Sequence, residues 1–388
     1  MKVLSIESYD DFECIGGECP ITCCGDWTIR IDDKTAEYYR NVDGEFGDEL
    51  REGIDFTEDG ARFKMTGNKK CIFLNENRLC KIYRKLGPDK LCFVCRNYPR
   101  SIFQVGDILF CGLANSCPEV NRMIMQFKEP FKILFNDSDE KMMQYEMADI
   151  PESEAYWNDF NQSIRAFTAG LGILQNRELA LSDRLTLLIF FVERFQEIMR
   201  NNGDPGDLTG IFSQPSVYSM FLENFSGNSG DITDKIHAFL IVFRNMMVSS
   251  CDIPMWEDCK IMADELIKNG IEDPDAIKKA FQTLYTPEIM IEMEQLIAYR
   301  FFHVFMQGFV NKDFYERIAY EYILYSTLIT YMSIVEVKSS RRSTQEERIL
   351  FYSLCSRIEH SDEHKGSLTG DLKGANFYDL EKLLGLIR

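Results

Sequence analysis

Cys14-Ile-Gly-Gly-Glu-Cys19-Pro-Ile-Thr-Cys23-Cys24 opens the stretch that decides how this chain is built. Ten of the thirteen cysteines fall between Cys14 and Cys117, in the order Cys14, Cys19, Cys23, Cys24, Cys71, Cys80, Cys92, Cys95, Cys111, Cys117, and no histidine lies among them. Buried cysteine serves as a small hydrophobe, but that role gives no reason for clustering when the rest of the chain holds just Cys251, Cys259 and Cys355. A disulfide framework needs an oxidising compartment, and the opening MKVLSIESYDDF lacks the basic and apolar regions of a secretory leader. The expectation is an all-thiolate centre, four-cysteine zinc or an iron–sulfur cluster, in a cytoplasmic protein.

Local spacing sharpens this reading. The glycine-bearing loop from Cys14 to Cys19 can wrap closely round an ion, and Cys71-x8-Cys80, turning at Asn75-Glu-Asn77, is a knuckle that brings its two ends together. Cys92-x2-Cys95 supplies a further pair. Side chains of adjacent residues point apart, so Cys23 and Cys24 serve either two centres or one centre and a packing role. Around these, Trp27–Ile31 and Ala61–Met65 read as short strands, Asp32 or Asp33 caps a helix to Arg40, and Lys81–Leu86 forms another. Phe103–Phe110 reads as a hairpin turning at Gly106-Asp107, with Pro118 opening a helix after it. Residues 1–13 read as a short leader and residues 41–60 as an acidic exposed loop.

Beyond residue 150 the texture changes. Leu181, Leu185, Leu188, Val192, Phe195 and Met199 alternate at steps of four and three, the stripe of a bundle helix. Comparable segments follow to the end, separated by breakers that include Gly366 to Gly374. The expected fold is mainly α: a small cysteine-rich α+β module over residues 1–130, with strands confined to about the first 125, then an all-helical, bundle-like domain over 131–388. No run reaches the eighteen or so apolar residues of a membrane span; Tyr322 to Val335 reads as a buried core helix.

Of the net charge of -19, most falls beyond residue 130, which makes nucleic acid a poor partner for that part. Residues 62–100 are a basic island beside the thiolates. Those cations compensate thiolate charge, form an anion site for a cofactor carboxylate or phosphate, or contact RNA, and Arg96 and Arg100 are expected to face the thiolates, either neutralising them or holding a cofactor carboxylate. No dinucleotide-binding loop, P-loop or nucleophile elbow appears. His303, in Phe301-Phe-His-Val-Phe305, reads as a core histidine with a satisfied ring. His360-Ser-Asp-Glu363-His364 matches an inverted zincin pattern formally, but Ser361-Asp362 reads as the end of a helix.

Four segments carry a family resemblance: Phe12 to Trp27, Cys71 to Cys80, Leu91-Cys-Phe-Val-Cys95-Arg-Asn-Tyr98-Pro99-Arg100, and Ser116-Cys117-Pro118-Glu119. Together they resemble the signatures of the FliB-type flagellin lysine-N-methylases, and Ser356-Arg-Ile-Glu-His360 is similar to the family's late Arg and His. The resemblance implies S-adenosylmethionine-dependent methylation of lysine ε-amines on flagellin, with an iron–sulfur cluster, 4Fe-4S, or zinc as the alternative metal. It implies Cys14, Cys19, Cys23, Cys24, Cys71, Cys80, Cys95 and Cys117 as ligands and sets Cys92 and Cys111 aside. The Cys-x3-Cys-x2-Cys arrangement of radical S-adenosylmethionine enzymes is not met, because Asp26 stands where the third cysteine belongs. The reading from another class is a non-catalytic zinc- or iron-binding protein whose helices bind a partner.

Overall fold

Lys2–Ile6, with Val3, Leu4 and Ile6 buried, form a strand where a leader was expected. In the computed structural model, residues 2–137, 149–212, 214–223, 230–246 and 253–388 are described. The first part carries β1 (Lys2–Ile6), β2 (Arg30–Ile31), α1 (Asp33–Arg40), α2 (Gly44–Glu52), β3 (Ile54–Thr57), β4 (Gly60–Phe63), α3 (Lys81–Leu86), α4 (Phe93–Asn97), β5 (Arg100–Val105), β6 (Ile108–Leu113), α5 (Pro118–Met125) and β7 (Ile133–Asp137). Among the described residues only helices and loops follow. These are α6 (Glu154–Gln175), α7 (Leu181–Arg200), α8 (Gly206–Phe212), α9 (Pro215–Glu223), α10 (Ile232–Met246), α11 (Pro254–Asn269), α12 (Pro274–Thr283), α13 (Pro287–Val304), α14 (Phe314–Ser339), α15 (Gln345–Ser356), α16 (Asp362–Gly374) and α17 (Leu380–Ile387).

The expected mainly-α architecture with a small α+β N-terminal part is the one observed. One sheet has the order β5-β6-β1-β7, with β1 parallel to β6 and antiparallel to β7. β7 lies past the expected limit of strands, so this sheet crosses the boundary expected at residue 130. The β5–β6 hairpin turns at Gly106, whose φ of +57° suits glycine. The second sheet, β2-β4-β3, is antiparallel. Leu109, Phe110 and Leu113 of the first sheet share one core with the helices, whereas Ile31, Tyr39, Leu50, Phe63 and Phe73 enclose a separate, smaller one. The cysteine-rich segment is thus an excursion between β1 and β5 with its own core.

All six residues of the stripe from Leu181 to Met199 are buried in α7. α14 is long and apolar enough to cross a membrane, yet 94% of its most apolar window is buried inside the protein. Two loop expectations are corrected. Within residues 41–60, α2 forms because Leu50 reaches the small core, and Gly47 lets the helix approach the Val42 carbonyl more closely than any Cβ would allow. Gly366 to Gly374 is not a breaker but most of α16. Ser361 caps its start by accepting from the His364 N–H, and Leu368 and Leu372, one turn apart, are fully buried.

Burying two leucines contributes about 1.5–3 kcal/mol each, against about 1 kcal/mol lost per interior glycine. The apolar face wins. A Cβ on Gly370 would meet no atom within 4 Å. Gly370→Ala is therefore expected to raise unfolding stability by about 0.5–1 kcal/mol in denaturant titration, and a loss of stability would contradict the open space assigned to that position.

Candidate active site

The excursion between β1 and β5 gathers the thiols. Cys71 N–H donates to Cys24 O at 2.7 Å, and Leu74 pairs with Cys80 across the Asn75–Asn77 turn, closing the expected knuckle. Cys92 stands at the N-terminus of α4, which carries Cys95, and Asp32 holds that end by accepting from Phe93 N–H at 2.7 Å. Cys71 and Cys92 are buried in the small core, with Cys24, Cys80 and Cys95 packed against it. Cys117 precedes α5 in the larger core, Cys19 is half-buried, and Cys14 and Cys23 are exposed.

The electrostatic neighbourhood of the thiols joins them. Cys71 feels Cys80, Cys92 and Cys23; Cys95 feels Cys92, Cys24 and Cys71; Cys117 feels Cys19 and Cys23. Cys23 is the thiol felt in both sets. Burial pushes Cys19 and Cys71 up to about 11 and Cys117 up to about 12, while Cys92 is lowered by its hydrogen bond from Cys95, which itself rises. Among the described residues no three His, Cys, Asp or Glu side chains stand in an arrangement that holds a metal ion. The donor set itself, sulfur without imidazole, suits a thiolate-bound metal or cluster rather than a hard cation. Cys92, set aside by the resemblance, lies with the others, as its spacing to Cys95 indicated; Cys111 stays within β6, opposite Ser5 and Ile102. Cys259 and Cys355 are buried among the helices, and Cys251 lies outside the described residues.

The helical part grips the cysteine loop through a 3-10 turn, Arg357–His360. Arg357 donates to Thr22 O at 3.1 Å and Gly25 O at 2.7 Å and lies 3.4 Å from Asp26. Trp27 Nε1 donates to Cys23 O at 2.9 Å. Beside this junction opens a cleft of about 770 Å³, lined from the first part of the chain by Trp27, Tyr98 and Arg100 and from the helical part by Arg300, His303, Glu316, Tyr320, Glu321, Glu359 and His360. Three rings form one wall: Trp27 and His360 at 5.2 Å, Tyr98 and His360 at 5.9 Å, and Trp27 and Tyr98 at 6.3 Å between centroids. A cavity of about 870 Å³ elsewhere surrounds Lys235, Phe281 and Tyr325, and none of its lining comes from the cysteine-rich segment.

Charge in the cleft is mostly paired. Arg300, 1% exposed, binds both oxygens of Glu321, reaches Glu359, and donates to Asn115 Oδ1 at 3.1 Å. Burial raises Glu321 toward its protonated form and Arg300 opposes that. Asp313 pairs with Arg317. Among the described residues that line the cleft, three polar atoms are buried without a partner: His303 Nδ1, Tyr320 OH and Glu316 Oε2. The ring of His303 is thus not fully satisfied, and burial, with Arg300, lowers it to about 3. Burial also lowers His360 and raises Tyr98.

Arg100 lines the cleft with its guanidinium over Tyr9 and Phe12, whereas Arg96 is exposed. His360 and His364 do not share a helix, because Ser361 is extended between them. No local sequence pattern distinguishes Trp27, Arg300, Tyr320 and Glu321 as site residues. Arg300 and Glu321 lie on α13 and α14, and only the packing of those helices makes them neighbours.

Comparison with known proteins adds a family. Residues 168–386 match the family described as the FliB lysine N-methylase C-terminal domain. The flagellar biosynthetic protein FliU of Salmonella muenchen is 28% identical over 122 residues, 29% of this chain and 71% of that protein. The lysine-N-methylases of Salmonella typhimurium and Salmonella choleraesuis are each 27% identical over 122 residues, 29% of this chain and 30% of theirs. The match therefore spans under a third of the length of those two methylases. No solved structure matches the chain.

Proposed function

The chain belongs to the FliB lysine N-methylase family, and from that premise we propose that it transfers methyl groups from S-adenosylmethionine to lysine ε-amines of flagellin. The observation that carries the reading is the cleft, where aromatic rings and carboxylates meet at the contact between the cysteine loop and the helical part that matches the family. Ring faces attract cations. Trp27 and Tyr98 suit both cations of the reaction, a lysine ammonium and a methyl sulfonium, and Glu316 and Tyr320 line the same cleft. Arg100, which lines the cleft, would bind the carboxylate of the cofactor.

S-adenosylmethionine supplies an electrophilic methyl group when bound. An iron–sulfur cluster, or zinc in its place, would be held by thiolates drawn from Cys14, Cys19, Cys23, Cys24, Cys71, Cys80, Cys95 and Cys117, with Cys92 added, and would supply positive charge and order to the loop. The residues of the chain do the rest. Arg357 and Trp27 tie that loop to the cleft wall, so that order in the loop becomes order in the site. The rings exclude water from the reacting nitrogen and hold it in line, which supplies most of what transfer of a methyl group to an amine requires.

The test is transfer of labelled methyl to flagellin by metal-replete protein, with mass spectrometry locating one added CH2 per methylation on lysine. Flagellin left unmodified would refute the substrate. Label on no protein lysine at all would favour the non-catalytic reading.

A further inference from the structure

A continuous hydrogen-bonded path leaves the cleft through three side chains from three parts of the chain. The Tyr98 hydroxyl, at the end of α4, lies 2.9 Å from Ser116 Oγ, and Ser116 Oγ lies 2.5 Å from His360 Nε2. Tyr98 and His360 line the cleft; Ser116 is buried behind them. A buried imidazole that stays neutral has one ring nitrogen free to accept, and a buried phenol keeps its proton. Donation then runs one way: Tyr98 to Ser116, Ser116 to Nε2. The lone pairs of the phenol are left for a donor in the cleft.

We propose that Tyr98, Ser116 and His360 form the route by which the target lysine ammonium loses its proton before methyl transfer, with His360 Nε2 as the final acceptor. The role rests on the methylase reading of the cleft. An ammonium N–H bond breaks and its proton passes to the Tyr98 oxygen, the phenol proton passes to Ser116, and the serine proton passes to Nε2. The products are a neutral amine and an imidazolium. The amine lone pair then forms the N–C bond as the C–S bond breaks, and the electrons of that bond remain on sulfur.

The carboxylates are poorer acceptors. Glu321 and Glu359 are bound to Arg300, and Asp313 to Arg317. Glu316 binds Arg200 through one oxygen, and its unpartnered Oε2 is the rival. The groups facing His360 set its poise. Glu359 on its own turn favours the imidazolium, Arg357 on that turn and Arg300 on α13 oppose it, and Tyr98, Ser116 and Trp27 surround the ring without charge. Burial outweighs Glu359, so the resting ring is neutral, and Glu359 lies close to stabilise the transient cation.

Two measurements test the route. The chain has four histidines, so imidazole nitrogen NMR of the full-length protein, with His360→Gln for assignment, can read this ring. Expected near neutral pH is a neutral His360 protonated on Nδ1 with Nε2 accepting; a proton resident on Nε2 overturns the proposal whatever the enzyme does. In single-turnover methyl transfer, Tyr98→Phe and His360→Gln are each expected to slow the step by about 10²-fold near pH 7 with little change in KM and unaltered bound metal. The deficit should shrink as pH rises toward the lysine value of about 10.4, because more substrate arrives already deprotonated. A merely structural loss would not recover with pH. Both variants at full rate beside an active wild type, or a pH-dependent loss seen in Glu316→Gln instead, overturn the route alone. A wild type that transfers no methyl overturns the methylase reading and the route with it.

Discussion

Serine in place of Cys23, Cys80 or Cys95 is expected to remove bound metal and methyl transfer together. Each thiol stands at a junction. Cys23 is felt by both Cys71 and Cys117 and its carbonyl accepts from Trp27; Cys80 closes the knuckle and precedes α3; Cys95 shares a hydrogen bond with Cys92 and feels Cys24 and Cys71. The small core around them has only a three-stranded sheet and short helices. In so small a core a bound metal would contribute a large part of the folding free energy, about 10–16 kcal/mol for structural zinc sites. One lost thiolate should lower metal content at least about tenfold and bring methyl transfer to background. Cys355→Ala is the control, because Cys355 lies among the helices with its sulfur 3.4 Å from Met246 Sδ; its metal content should match the wild type. Full metal with lost transfer in the Cys80 variant would mean that Cys80 acts in catalysis without holding metal. Transfer undiminished after complete metal removal would leave the cysteines as a structural clasp.

The second large effect concerns stability. Arg300→Ala removes the guanidinium that binds Glu321 and Glu359 and steadies Asn115. Asn115 in turn is bonded to Asn121, and Asn121 to Ser353 of α15. The loop after β6 thus loses its tie to α13. Breaking one side of a buried pair costs about 3–5 kcal/mol, because the remaining charge has no partner. The midpoint of thermal unfolding should fall by roughly 5–15 °C. Arg300→Met combined with Glu321→Gln should recover part of this loss, since the double variant leaves less buried charge unpaired. A double variant as unstable as the single one would assign the effect to packing instead.

Legibility differed between elements. The stripe through α7, the cap of α1 at Asp32 and the hairpin at Gly106 were readable because each is a local signal, decided by neighbours within a few residues. β1 was not readable as a strand. Its five residues become one only by lying between β6 and β7, from residues more than a hundred positions away. α16 was hidden because three glycines outweigh two leucines until α10 and its neighbours bury those leucines.

By itself, then, the sequence determined that thiols are concentrated in one third of the chain, that a helical region follows, and which family the chain resembles. Composition and short spacings hold that information, and no folding is needed to read it. Only the tertiary structure decided that Cys92 belongs with the other thiols, that Arg357 grips the cysteine loop, and that Trp27, Tyr98, Arg300 and His360 share a cleft. Tyr98 and His360 stand 262 positions apart in the sequence. What brings them within reach is the burial of β6 against α13, where Tyr299 OH accepts from Leu113 N–H and donates to Leu113 O, a contact whose energy comes from a core that no short window of sequence contains.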